Sequence, residues 1–311
     1  MSATTRRTFL ALGSLVAAGA AGGIAIGTAA LGSPALSGPR PVRPPSPTPT
    51  PPPRLAEGIE LSAGLLAAAR AAEDDHPLVA QLVRDHAAQL AALRSPEPAA
   101  RPAQPTPGTE PPAPRPGRDP LRTLIEAERA AVDAYAGWAG ETTGGIALVW
   151  GSLAAHAAGA AGALRSSTRR AESPAPGTGP AVAVDDTTAL QQVVAQSHAA
   201  IFGYQRLLAL VPRGESEPVD AGLKAYRGLR DDLTAALADR GAAAPAAAPA
   251  YRTEGSAEEI GRQIESGALP YLGQWLQAAA EPASATAALR EATGRALGWG
   301  AALPAWPGWP G

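Results

Sequence analysis

Of the chain's 33 prolines, nine fall between Pro39 and Pro53, ten between Pro96 and Pro120, and three more at Pro174, Pro176 and Pro180. Proline lacks the backbone donor and clashes with the preceding turn, so these runs cannot lie inside helices or central strands. They cut the chain into blocks, and the blocks are rich in alanine, roughly a quarter of all residues, with only 4% aromatic. Alanine leads the helix propensities, whereas sheets draw on β-branched and aromatic side chains. The expected fold class is therefore all-α. The 45% apolar content of the 311 residues is enough for a sizeable core.

Eight helices follow from the apolar spacing, at about residues 56–72, 77–93, 120–140, 146–165, 188–211, 219–240, 256–280 and 284–299. Asp119-Pro120 reads as an N-cap followed by proline at the first helical position. Ser256 with Glu259 reads as a capping box, and Pro270 is expected to kink the helix that follows it. Residues 212–218 are expected to turn the chain between the fifth and sixth helices. Each half is a hairpin, a long linker and a second hairpin, and a long crossover between helices two and three is the ferritin-like connection of a four-helix bundle. The expected organisation is an export signal over 1–37, a proline-rich spacer over 38–54 and a degenerate four-helix bundle over 55–172 with its crossover at 95–120. A linker over 173–185, a ferritin-like domain over 186–301 and a Trp/Pro tail over 302–311 complete it. The expected architecture is two ferritin-like four-helix bundles, with one fused eight-helix bundle as the alternative.

The N-terminus runs Thr5-Arg6-Arg7-Thr8-Phe9-Leu10 and then continues uncharged to Pro39. A basic start before an apolar, small-residue stretch is the pattern of an export signal. The paired arginines resemble the twin-arginine motif, which implies export of a folded protein to the cell envelope or beyond. Ala35-Leu36-Ser37 offers a cleavage site after Ser37, while an uncut stretch would be long enough to hold the chain at a membrane. The spacer favours extended polyproline II, which would set the folded part on the order of 45 Å from its attachment point.

Zero cysteines exclude disulfides, thiolate metal sites and a cysteine nucleophile, and a formal charge of −2 offers no electrostatic case for nucleic acid. No Gly-x-Ser-x-Gly, phosphate-binding glycine loop or His-Glu-x-x-His is present. The informative polar residues are few. Glu128 lies on the apolar stripe of Leu121, Leu124, Ile125, Val132 and Tyr135, so it is expected to point inward. It and His156 each stand about 21 Å from their shared turn, and His86 stands about 16 Å from its own, so all three fall near bundle mid-height. They form a candidate metal set, His86, Glu128 and His156, of the kind that would take iron or manganese. Val83 and Leu153 occupy the positions three before the histidines, so the Glu-x-x-His pairs of a di-metal site are absent. A hydrogen-bonded core pair without cofactor is the expectation set against it. In the second half, His198, Tyr204, Tyr226 and Arg230 mark a candidate polar pocket, weighed against ordinary core tyrosines. Trp299, Trp306 and Trp309 either fold back over a bundle end or anchor the chain at a membrane or partner.

The run Ala189-Leu190-Gln191-Gln192-Val193-Val194-Ala195-Gln196-Ser197-His198-Ala199-Ala200-Ile201-Phe202-Gly203-Tyr204 resembles a ferritin-like domain of unknown function found in exported actinobacterial proteins. Tyr226-Arg227-Gly228-Leu229-Arg230-Asp231 and the Ala/Pro stretch ending at Tyr251 add to the likeness, which covers about 187–299. Members of that family typically carry Glu-His where this chain has Ser197-His198, so an inward carboxylate is replaced by a hydroxyl. The resemblance implies a fold and a compartment and carries no reaction. The expected function is a non-enzymatic binding or structural module of the cell envelope with an unidentified envelope partner. The alternative is a metal-binding, oxidoreductase-like protein built on His86, Glu128 and His156.

Overall fold

A computed structural model of the chain describes residues 52–95, 119–166 and 184–309. The export signal, most of the spacer, the interior of the first crossover and the 173–183 linker lie outside those residues. The described residues form eight α-helices and one short 3-10 turn: α1 Leu55–Ala71, α2 Val79–Leu93, α3 Pro120–Gly140, α4 Gly144–Ala163, α5 Asp186–Leu210, α6 Glu217–Asp239, α7 Ala257–Ala278 and α8 Ala283–Gly298. No strand occurs among them. All eight expected helices are present, with ends displaced by a few residues.

Local chemistry accounts for most of those ends. The Asp119 side chain accepts from the Arg122 backbone N–H with Pro120 behind it, and Ser256 with Glu259 closes a reciprocal capping box. Asp185 caps α5 through the Thr188 N–H, which starts that helix two residues before the apolar stripe suggests. Pro218 sits in the first turn of α6, where its missing N–H has no intrahelical role, so the turn is shorter than expected. α7 runs on through Pro270 as one element.

α4 sets the architecture. Fifteen of its 20 residues are buried, on every face, which is the pattern of a helix surrounded by others. It packs against α3 of its own half and against α7 and α8 of the other. By length and composition it could also cross a membrane, but it is buried among its neighbours here. Glycines let the partners approach: a Cβ at Gly151 would overlap Leu276 of α7, and one at Gly159 would crowd Leu303 of the tail. One buried cluster consequently runs from Leu65 through Trp150 and Tyr204 to Trp309, joining both halves as in the fused eight-helix arrangement.

The Trp/Pro tail completes this core. Leu303, Ala305, Trp306 and Trp309 are all buried, and the two indoles meet edge to face with centroids 5.8 Å apart. Gln81 and Gln89 of α2 donate to the Leu303 and Ala305 carbonyls at 2.9 and 2.8 Å, while Gly308 lies on Gly273 of α7, where any Cβ would strike its backbone. The tail thus folds back and fastens the first half to the second.

Candidate functional site

Two buried polar clusters stand out, one in each half. In the first, α2, α3 and α4 bring His86, Glu128 and His156 together as the helical stripes suggest. His86 Nε2 lies 2.7 Å from Glu128 Oε1, both side chains are fully buried, and the two imidazoles meet edge to face with centroids 5.4 Å apart. Gln89 donates through its amide to the Ala305 carbonyl, so its oxygen accepts from His86 Nδ1–H at 3.0 Å. That leaves Nε2 and Glu128 to share the remaining proton. Burial would drive the His86 pKa down, but the charge and hydrogen bond of Glu128, helped by Gln89 and Asp85, outweigh it and hold the pKa above its ordinary value. The raised value favours the protonated His86 ring beside Glu128.

His156 turns Nε2 toward Asp85 Oδ2 at 3.4 Å, and Gln81 donates to the same oxygen at 3.1 Å. Each histidine nitrogen that faces a carboxylate therefore faces a different one. Among the described residues no three His, Asp or Glu side chains are grouped so as to hold a metal ion. Glu128 Oε2 is buried without a hydrogen-bond partner. Sequence reasoning missed Asp85 and Gln89. A Glu-x-x-His pattern would put a carboxylate three residues before His86, whereas its partner is an amide three residues after it.

The second cluster centres on Glu265 of α7, which is fully buried. Tyr204 of α5 donates its hydroxyl to Oε1 in a short bond, Arg295 Nε of α8 donates to the same oxygen at 2.9 Å, and Tyr226 of α6 donates to Oε2 at 3.0 Å. Trp299 Nε1 donates to the Tyr204 hydroxyl at 3.3 Å, and the Arg295 guanidinium lies 5.1 Å from the centre of the Tyr226 ring. Burial and the Glu265 charge push both tyrosine hydroxyls well above their usual range, so both remain protonated donors. Glu265 and Tyr226 outweigh burial to raise Arg295 as well. Glycine makes the geometry possible: a Cβ at Gly222 would overlap the Tyr204 ring and one at Gly261 the Trp299 indole.

Of the four residues of the expected pocket, Tyr204 and Tyr226 meet here, with rings 5.9 Å apart. His198 is half-buried six residues earlier on α5, and Arg230, also half-buried, pairs with its neighbour Asp231. Ser197 is buried and returns its hydroxyl to the Val193 carbonyl at 2.8 Å. Glu265 was legible by the same test that found Glu128, because it shares the apolar stripe of Ala268, Leu269, Leu272 and Leu276.

Arg295 also lines a cleft of about 960 Å³ between α6 and α8, floored by Leu190, Leu233 and Trp275. The walls facing each other are small residues, Ala225, Gly228 and Ala236 on α6 and Ala287 and Ala288 on α8, which leave the space open. The guanidinium side chain is 22% exposed, so the cleft reaches a cation whose other side is fixed by a buried carboxylate.

These features define an all-helical bundle protein with a sealed polar cluster in one half and an open cleft in the other. Residues 189–311 match the model of a domain of unknown function (DUF4439), a span that takes in the Glu265 cluster, nearly all of the cleft and the tail. The chain is similar to a conserved hypothetical protein from Mycobacterium tuberculosis whose crystal structure is known. The two are 31% identical over 37% of this chain and 87% of that one, with a TM-score of 0.35. Through its C-terminal half the chain belongs to that family. No curated protein matches it.

Proposed function

We propose that the protein is an exported, ferritin-like helical module of the cell envelope that acts by binding a ligand in the cleft between α6 and α8. The observation that carries this reading is the cleft itself. It has the volume of a small-molecule site, an apolar floor and charged side chains along its walls, and it ends on a guanidinium held in place by Glu265. It also lies within the half that matches the domain family. The groups of the Glu265 cluster are committed to one another, which suits a rigid binding wall better than a proton-transfer centre. The twin-arginine resemblance at Arg6 and Arg7 supports export of the folded chain.

A fragment screen by NMR on the full chain tests the binding half of the proposal. Hits are expected to shift the resonances of Leu229, Leu233 and the Trp275 indole, and to be lost when Ala288→Trp fills the cleft; hits that survive this change would overturn it. Export is tested by cell fractionation, where Arg6→Lys with Arg7→Lys is expected to retain the chain in the cytoplasm.

A further inference from the structure

The charges along the cleft are not evenly placed. Arg240 is paired with Asp186 at 2.8 Å, and Arg295 with Glu265 at 2.9 Å and with Glu291 at 3.7 Å, so neither is a free cation. Lys224, exposed on α6 at the same end of the cleft as Arg295, has no ion pair recorded for it among the described residues. Asp232, two turns further along α6, and Glu281, at the start of the α8 wall, are exposed and likewise without a recorded ion pair. An unpaired cation therefore stands at one end and two unpaired carboxylates toward the other. Between them lie Leu229 and Leu233, with Trp275 beneath.

The axial distance from Lys224 to Asp232, eight helical residues, is about 12 Å. An extended peptide advances about 3.3 Å per residue, so four residues place an α-carboxylate and an α-ammonium roughly 13 Å apart. We infer that the cleft takes a short zwitterionic peptide of about four residues. Its carboxylate lies at Lys224, its ammonium lies between Asp232 and Glu281, and its apolar side chains rest on Leu229, Leu233 and Trp275. This rests on the reading of the cleft as the binding site and narrows it to one ligand class. A polyanion is disfavoured, because Asp232, Glu281 and Glu291 would face its further charges. A purely apolar ligand would leave Lys224 and both acids without partners.

The test compares the tetrapeptide Ala-Leu-Leu-Ala with its C-amidated and N-acetylated forms, by calorimetry on the full chain, with 1-anilinonaphthalene-8-sulfonate as an independent probe of the cleft. Removing either terminal charge is expected to weaken binding by about tenfold or more. Lys224→Met is expected to erase the difference between the free and amidated peptides while leaving the penalty for acetylation. Equal affinity for all three peptides, or peptide binding unaffected by Ala288→Trp, would overturn the inference. If the dye binds and is displaced by Ala288→Trp while no peptide binds, the peptide class fails and the binding cleft stands. If neither dye nor peptide binds, both fail together.

Discussion

The two halves each bury a carboxylate against a cation, and they do so in opposite ways. Glu128 meets an imidazolium that can give up its proton, and one of its oxygens has no partner. Glu265 meets a guanidinium that cannot, and both of its oxygens are bonded. The first pair is fully sealed, tied to the tail through Gln89 and the Ala305 carbonyl, whereas Arg295 remains 22% exposed at the wall of a cleft. A buried ion pair contributes little net stability unless its hydrogen bonds are complete, and breaking one is costly. The contrast separates a polar pair that closes a core from one that holds a cation rigid for something outside the core.

The tail should break this contrast most severely, because it roofs one cluster and touches the other's helix. Deleting residues 302–311 removes the buried Leu303, Trp306 and Trp309. A buried tryptophan is worth about 3–5 kcal/mol on truncation, so the deletion is expected to cost more than about 5 kcal/mol. Chemical denaturation of the full and shortened chains measures it. Hydrogen exchange should show α2 deprotected, since Gln81 and Gln89 lose their acceptors, while the Tyr204–Glu265 contact persists. Uniform deprotection of both halves would show that the tail does not distinguish them.

Isosteric removal of each carboxylate charge sharpens the comparison. Glu265→Gln leaves Arg295 without its buried counterion and is expected to cost about 3–5 kcal/mol at any pH near neutrality. Glu128→Gln allows His86 to shed its proton and accept from the new amide, so about 1–2 kcal/mol is expected. The pH dependence separates them further. His86 has a folded pKa above its unfolded value, so its contribution is complete below about 6.5 and is lost as pH rises through the raised value. Stability of the wild type is expected to fall between neutrality and mild alkali, Glu128→Gln to flatten that fall and Glu265→Gln to retain it. Melting temperatures across that range measure it, and an unchanged slope in Glu128→Gln would refute the imidazolium assignment.

Much of this was readable before the structure. The stripe of Leu124, Glu128, Val132 and Tyr135 aimed Glu128 inward, and counting along helices placed His86 and His156 at its level. That worked because helical rise and periodicity are local properties. The Glu265 cluster is half legible: the helical stripes mark Tyr204 and Tyr226, but Arg295 belongs to the last helix, and only tertiary packing brings α8 beside α6. His198 and Arg230 stand at similar distances from the turn between α5 and α6, yet His198 lies six residues from Tyr204 along α5 and the half-buried Arg230 pairs with Asp231. The role of α4 was hidden for a different reason. A helix buried on every face has no amphipathic stripe from which to read its neighbours, so the joining of the halves through Gly151 and Gly159 left no periodic trace. The tail's return to the core could be argued from its tryptophans, but its anchoring to Gln81 and Gln89 rests on backbone carbonyls, which sequence does not distinguish.

The smallest expected effect is that of a metal ion on the sealed cluster. For iron, manganese or zinc to enter, His86 Nε2 and Glu128 Oε1 would have to abandon their 2.7 Å bond. His156 would also have to turn from Asp85, while Gln89 and Ala305 hold the His86 ring by its other nitrogen. Such an outer hydrogen bond orients a histidine well for a metal when Nε2 is free, and here Nε2 faces a carboxylate instead. In the other half Arg295 already supplies the positive charge beside Glu265. Calorimetric titration of the full chain with Fe(II), Mn(II) and Zn(II) is therefore expected to show no saturable binding and no rise in melting temperature. One-to-one binding that disappears in Glu128→Gln would reverse the comparison, making the sealed pair a resting metal site and leaving the open cleft to a separate role.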